Sequence, residues 1–144
     1  MTTKVLGRDS SGKKLLIDPA NLGGANVVLN DVPCNASVFI GAAVRMTSGG
    51  TAVNAIADSV ANSNVIGIVE AKSSSTLCNI RVVGVSLAVF SSLDVTKEYY
   101  LSDSVAGQLV TTIPTASGHV VLRLGQPFSA TEFLFNKGQY TVRL

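Results

Sequence analysis

The chain contains no tryptophan, a single histidine and two cysteines, and only 14% of its 144 residues are charged. Each shortage closes off chemistry. Nucleophilic catalysis through a conventional base needs an imidazole held between a nucleophile and an orienting acid. Only His119 is available, in Ser117-Gly118-His119-Val120, a turn-to-strand junction where a surface or interface histidine is expected. Acidic residues total 9. Asp9, Asp18, Asp31, Asp94 and Asp103 read as turn residues, and Glu70, Glu98 and Glu132 as strand or strand-edge residues facing solvent or a neighbour. Nothing in their spacing recommends the paired carboxylates of a glycosidase. Cys34 and Cys78, without a His or carboxylate cluster, do not complete a tetrahedral zinc site. They are expected as reduced, partly buried thiols, with a disulfide as the alternative. The absence of tryptophan argues against a carbohydrate platform of stacked rings. The pair Gly23-Gly24 has no following Lys-Ser or Lys-Thr and so is no phosphate loop. The expectation is a protein that is not an enzyme, with no catalytic, cofactor-binding or metal-binding residues and no cofactor.

Partners are bounded in the same way. The 11 basic residues are scattered, with Lys13-Lys14 the one basic pair, whereas nucleic-acid binders cluster their Lys and Arg. No apolar run approaches the roughly 20 residues that span a bilayer, because Gly, Ser, Asn or a charge interrupts each one. Residues 1–9 hold no apolar stretch of the kind that directs secretion, so synthesis in the cytoplasm is expected, and the glycosylation sequon Asn35-Ala36-Ser37 is read as chance. Neither nucleic acid nor membrane is an expected partner.

What is abundant is apolar: hydrophobic residues make up 47% of the chain. At this length one core suffices, and charge well below the usual quarter of residues implies that partners cover much of the surface. The chain divides into two parts. Residues 1–35 read as an extended N-terminal arm rich in turn formers (Gly7, Gly12, Pro19, Gly23, Gly24 and Pro33), with short strands at 4–7 and 13–17 around Asp9-Ser10-Ser11-Gly12. Residues 36–144 read as a β-rich body, with strands at 37–46, 51–56, 65–71, 77–90, 98–102, 108–112, 119–124, 131–135 and 140–144, and one short helical turn at 56–62. In the run 79–89, Ile80, Val82, Gly84, Ser86 and Ala88 share one face, and Arg81, Val83, Val85, Leu87 and Val89 the other. Both faces are largely apolar beyond Arg81, so this strand is expected to be central or covered by another subunit, with Gly84 at a bulge or close backbone approach. Tyr99, Tyr100, Phe128, Phe133, Phe135 and Tyr140 are expected in core or subunit-interface packing, with Phe128, Phe133 and Phe135 closing the apolar side of a three-stranded meander built from 98–124. The fold class expected is all-β, a compact sandwich or barrel-like domain with an extended N-terminal arm and at most one short helix.

The segment from Glu98-Tyr99-Tyr100-Leu101-Ser102 through Gly107-Gln108-Leu109-Val110-Thr111-Thr112, Pro114-Thr115-Ala116-Ser117-Gly118 and on to Leu124-Gly125 resembles a module of tailed-bacteriophage head-decoration, head-fibre and tail-fibre proteins. There a Tyr-Tyr-Leu-Ser strand is followed by a Gly-Leu-Thr-Thr turn and strand, a Pro-Thr-x-x-Gly turn and a strand ending in Val-Gly. Here Leu124 replaces the Val, and Gln108 stands between Gly and Leu. Upstream the resemblance runs through Ala57-Asp58-Ser59, Val65-Ile66-Gly67-Ile68-Val69 and Ile80-Arg81-Val82-Val83-Gly84, so that it covers residues 55–144. It implies a bacteriophage virion structural protein, foremost a capsid decoration (cement) protein on the head surface. The implied partners are the major capsid protein or other virion proteins and further copies of the chain, as a trimer ahead of a dimer. The alternative it implies is a fibre-base or adaptor module anchoring a fibre on the head or tail.

Overall fold

The computed structural model describes residues 5–8, 14–17 and 26–144. The protein is nearly all-β, with twelve strands and one 3-10 turn among the described residues. β1 (Val5–Arg8) and β2 (Lys14–Ile17) pair antiparallel as a separate ribbon, with Val5 opposite Ile17 and Arg8 opposite Lys14. The turn expected at Asp9-Ser10-Ser11-Gly12, and with it Pro19 and Gly23-Gly24, lies outside the described residues. The remaining strands are β3 (Val27–Pro33), β4 (Ala43–Met46), β5 (Ala52–Asn54), β6 (Gly67–Ser74), β7 (Leu77–Val85), β8 (Tyr99–Leu101), β9 (Leu109–Val110), β10 (Val120–Pro127), β11 (Phe133–Phe135) and β12 (Tyr140–Val142). They form one antiparallel sheet in the order β5-β4-β6-β7-β11-β10-β8-β9, with β3 added to β7 and β12 to β10. The sheet curls into a half-barrel.

Backbone hydrogen bonds stitch the two ends of the curl together. Gly107 donates to Ala55 O (2.6 Å) and accepts from Ala43 N, Ala57 donates to Ser102 O, and Val120 donates to Ala57 O. Gly107 has φ 82°, and a Cβ there would press on Asn54 and Phe39, so the close approach of the two ends requires glycine at this position. Alanines 43, 55 and 57 are fully buried at the same seam; their small side chains let the strands meet.

Two apolar clusters lie on either side of the wall made by β4 and β6. Ala43 and Ile68 belong to the cluster inside the curl, with Val65, Leu101, Leu122, Leu124, Phe133 and Phe135. Their sequence neighbours Val44 and Val69 belong to a second cluster, with Val38, Cys34, Cys78 and Ile80. Successive strand residues point to opposite faces, and all four of these are fully buried, so the wall is covered on both sides by the chain itself. Segment 34–42 supplies the outer cover. It is not the first half of a long strand: Asn35 accepts hydrogen bonds from the amide and hydroxyl of Ser37, Val38 N donates to Asn35 O, and Ala42 N donates to Phe39 O. Two successive turns outcompete the strand that the β-branched composition suggested.

β7 is central. β3 pairs with one of its edges from Val27 opposite Val83 to Pro33 opposite Leu77, and β6 with the other, Ile68 opposite Arg81. Val85 N points toward Asn26 Oδ1 and the next amide, Ser86 N, toward Phe133 O, so β11 continues along the β6 side. At Gly84 φ is 98°, and a Cβ there would collide with the Asn26 side chain. The close approach expected at Gly84 is therefore present. The strand stops at Val85 rather than at 90, because Ser86 Oγ is drawn into bonds with Leu87 O and Phe133 N.

The expected meander is replaced by another order. β9 and β10 both pair with β8, on opposite edges, giving β10-β8-β9. β9 has only two residues and the connection 111–119 is wide, so the chain passes over β9 and joins the longer free edge of β8. Phe133 and Phe135 do close the apolar side, with Tyr99 and Phe133 edge to face at 5.9 Å between ring centroids. Phe128 (67% exposed) and Tyr140 (55% exposed) take no part in the core. The helical turn expected at 56–62 is reduced to the 3-10 turn Ala61–Ser63.

Candidate functional site

His119 immediately precedes β10 and faces the turn after β8, where its Nδ1 lies 2.8 Å from Asp103 Oδ2. Both side chains are about three-tenths exposed. The nearby Ser102 hydroxyl accepts hydrogen bonds from the amides of Ser104 and Val105 and is itself buried. It caps the turn instead of addressing the imidazole. The pair fastens the β8–β9 turn to β10; no hydroxyl or thiol is directed onto His119 among the described contacts.

The most buried charges are Glu70 on β6 and Arg81 on β7. Arg81 Nε and Nη2 donate to the two carboxylate oxygens at 3.0 Å each, and Leu87 N donates to Glu70 Oε2 at 3.1 Å. Glu70 is 5% and Arg81 7% exposed. The expectation of a Glu70 facing solvent or a neighbour is thus corrected: the β6–β7 hairpin brings it beside Arg81, and a bidentate pair with a third donor satisfies the buried charge. A sequence signal existed, since the two residues stand at equal distances from the hairpin turn at 75–76. Arg81 Nε and Nη2 and both oxygens of Glu70 are thus engaged in holding the fold.

The other singled-out acids are structural as well. Asp94 accepts from both the hydroxyl and the amide of Thr96, and these bonds hold its carboxyl below the usual range. Asp31, at φ 52° in the β3 bulge, accepts from Ser73 Oγ. Glu98 is bound by Arg123 Nε at 2.8 Å, and Glu132 by Ser129. Asp9 and Asp18 lie outside the described residues. No group of three His, Cys, Asp or Glu among the described residues is placed to hold a metal. Cys34 and Cys78 are both free and buried, where sequence had suggested partial burial.

What remains is surface. Val27 and Val83 are cross-strand partners, and so are Val85 and Leu134; together they make an apolar stripe across β3, β7 and β11. Val27 (41% exposed), Val83 (41%) and Leu134 (37%) leave much of it open to solvent. A cleft of about 500 Å³ opens between the 3-10 turn and β12, floored by buried Leu122 and walled by Val60, Lys137 and Tyr140. Lys137 Nζ is held by Val65 O at 2.8 Å. Contiguous exposed apolar surface of this kind marks interaction sites on soluble proteins. Comparisons with protein-family models, with curated proteins and with solved structures find no match for the chain.

Proposed function

We propose that the chain is a bacteriophage virion structural protein, a capsid decoration protein that binds the assembled head shell as a homo-oligomer and stabilises it. The observation that carries this reading is the open apolar stripe over β3, β7 and β11, on a fold whose described acids and histidine are all spent on internal ties. In this reading the partners are the major capsid protein and further copies of the chain. Burial of arm and edge surface at joints between capsomers makes rupture or expansion of the shell break many contacts together. The resemblance of residues 98–125 to decoration and fibre modules supplies the particular partner.

The test is a copy count in purified particles by quantitative mass spectrometry against the major coat protein. A stoichiometry comparable to that of coat protein is the expected result. A dozen copies or fewer per particle transfers the chain to the alternative role, a fibre-base or adaptor module, and absence from particles removes the virion reading.

A further inference from the structure

Cys34 and Cys78 belong to different strands of one ladder. Val32 is opposite Cys78, Pro33 is opposite Leu77, and Cys34 N donates to Thr76 O at 2.8 Å. Cys34 is therefore the diagonal neighbour of Cys78 on the same face, and both lie in the outer core cluster. Diagonal neighbours stand about 7–8 Å apart with Cβ atoms closer, just beyond the usual Cα span of a disulfide, so closure draws the end of β3 toward β7. Both side chains enter the same buried cluster, with Cys34 close enough to help raise the Cys78 thiol. Cys34 also sits where the chain leaves β7 to bridge Ala52, one residue past the end of β3.

We infer that Cys34 and Cys78 form a redox-active dithiol that closes to an intramolecular disulfide and bolts the end of β3 to β7. This inference is independent of the function proposed above. With a small-molecule disulfide such as oxidised glutathione as oxidant, one cysteine thiolate attacks a glutathione sulfur and releases one glutathione thiolate. The second cysteine, deprotonated, attacks the resulting mixed disulfide at the protein sulfur and releases the other. The cysteines lose two protons and two electrons, and one oxidised glutathione becomes two reduced molecules.

Access is controlled by β3. Val28 and Val32 are half-buried and its other five residues exposed, and its ladder is broken by register shifts after Val27 and Leu29. Local opening of β3 is the route by which an oxidant reaches Cys34. Burial first, and the neighbouring Cys34 second, push the Cys78 thiol up to about 12. Cys34 lies just past the end of β3, whereas Cys78 lies within β7 and is fully buried, so Cys34 is reached first and attacks, and Cys78 resolves.

The experiment incubates the full native chain with oxidised glutathione at pH 8, then reads intact mass, thiol titration and a non-reducing peptide map. The expected product is a monomeric chain lighter by two hydrogens, with no free thiol and a peptide joining the two cysteines. Its melting temperature rises by roughly 5–15 °C and returns on reduction, as closure of a loop of this length entails. Cys78→Ser should stop at a stable Cys34–glutathione adduct, and Cys34→Ser should stay unmodified. Two free thiols persisting in folded protein after prolonged incubation, a glutathione adduct persisting on wild-type chain, or cross-linked dimers in place of the internal bridge would each overturn the inference.

Discussion

Glu70 and Arg81 show how one residue's partner decides its worth. Removing one member of a buried pair leaves the other charge uncompensated, which costs about 3–5 kcal/mol, whereas replacing both with apolar side chains of similar volume is often neutral. Glu70→Gln also weakens the acceptor for Leu87 N. Urea denaturation should therefore show Glu70→Gln destabilised by at least ~3 kcal/mol, and Glu70→Leu combined with Arg81→Met recovering most of that loss. Cys78 yields a prediction in pH. Its folded pKa of about 12 stands above the ordinary value of 9.0, so above pH 9 the unfolded chain has released a proton that the folded chain retains. The resulting stability is complete below pH 9 and is lost as pH rises toward 12. Under reducing conditions, the urea midpoint of the wild-type chain should fall more steeply between pH 9 and 11 than that of Cys78→Ala. Both effects depend on burial, and burial is what the sequence conveyed least. Alternation in 79–89 assigned Arg81 to one face correctly, but which face the curl would enclose was not legible from a single strand.

At the scale of elements, the strand composition was readable and the pairing was not. Every strand expected in 36–144 overlaps an observed one, with β6 and β10 each running three residues past the expected end, because β-branched runs bounded by Gly, Ser and Asn are local signals. The ends were overextended where side chains made turns: Asn35 with Ser37 before β4, and Ser86 after β7. The order β10-β8-β9 was invisible because pairing is decided by edges left free, not by nearness in sequence. β3 lies within the segment read as an arm, yet it covers one edge of β7. Deletion of residues 1–20 removes β1 and β2 but spares this pairing, and the truncated chain should melt within a few degrees of the full one. In the proposed role it should also lose binding to particles, as measured by co-sedimentation; retained full affinity would show that docking lies elsewhere. Deletion of residues 1–33 uncovers the β7 edge, and an unpaired central edge invites aggregation. Light scattering should rise for the longer deletion alone. Gly84→Ala adds a check on the same junction: a side chain at φ 98° that meets Asn26 should destabilise the fold by more than ~1 kcal/mol.

The whole molecule combines a sheet wall buried on both faces by its own chain with an outer stripe that the chain leaves open. The sequence left the two-faced strand either central or covered by another subunit; β7 is central, and for β4, β6 and the first half of β7 the cover is internal, from segment 34–42. The need for a partner therefore shifts to the far end of β7, where Val83 and Val27 stand open beside Leu134. If copies of the chain associate through this stripe, as the proposed homo-oligomer requires, sedimentation equilibrium should return a multiple of 14.9 kDa, a trimer ahead of a dimer, with dissociation on dilution. Val83→Lys puts a charge at the centre of the stripe without entering either core cluster, so its melting temperature should stay close to wild type while the associated species dissociates to monomer. An unchanged mass for Val83→Lys would place the self-association on another surface, and a wild-type monomer at high concentration would leave the stripe for the shell alone.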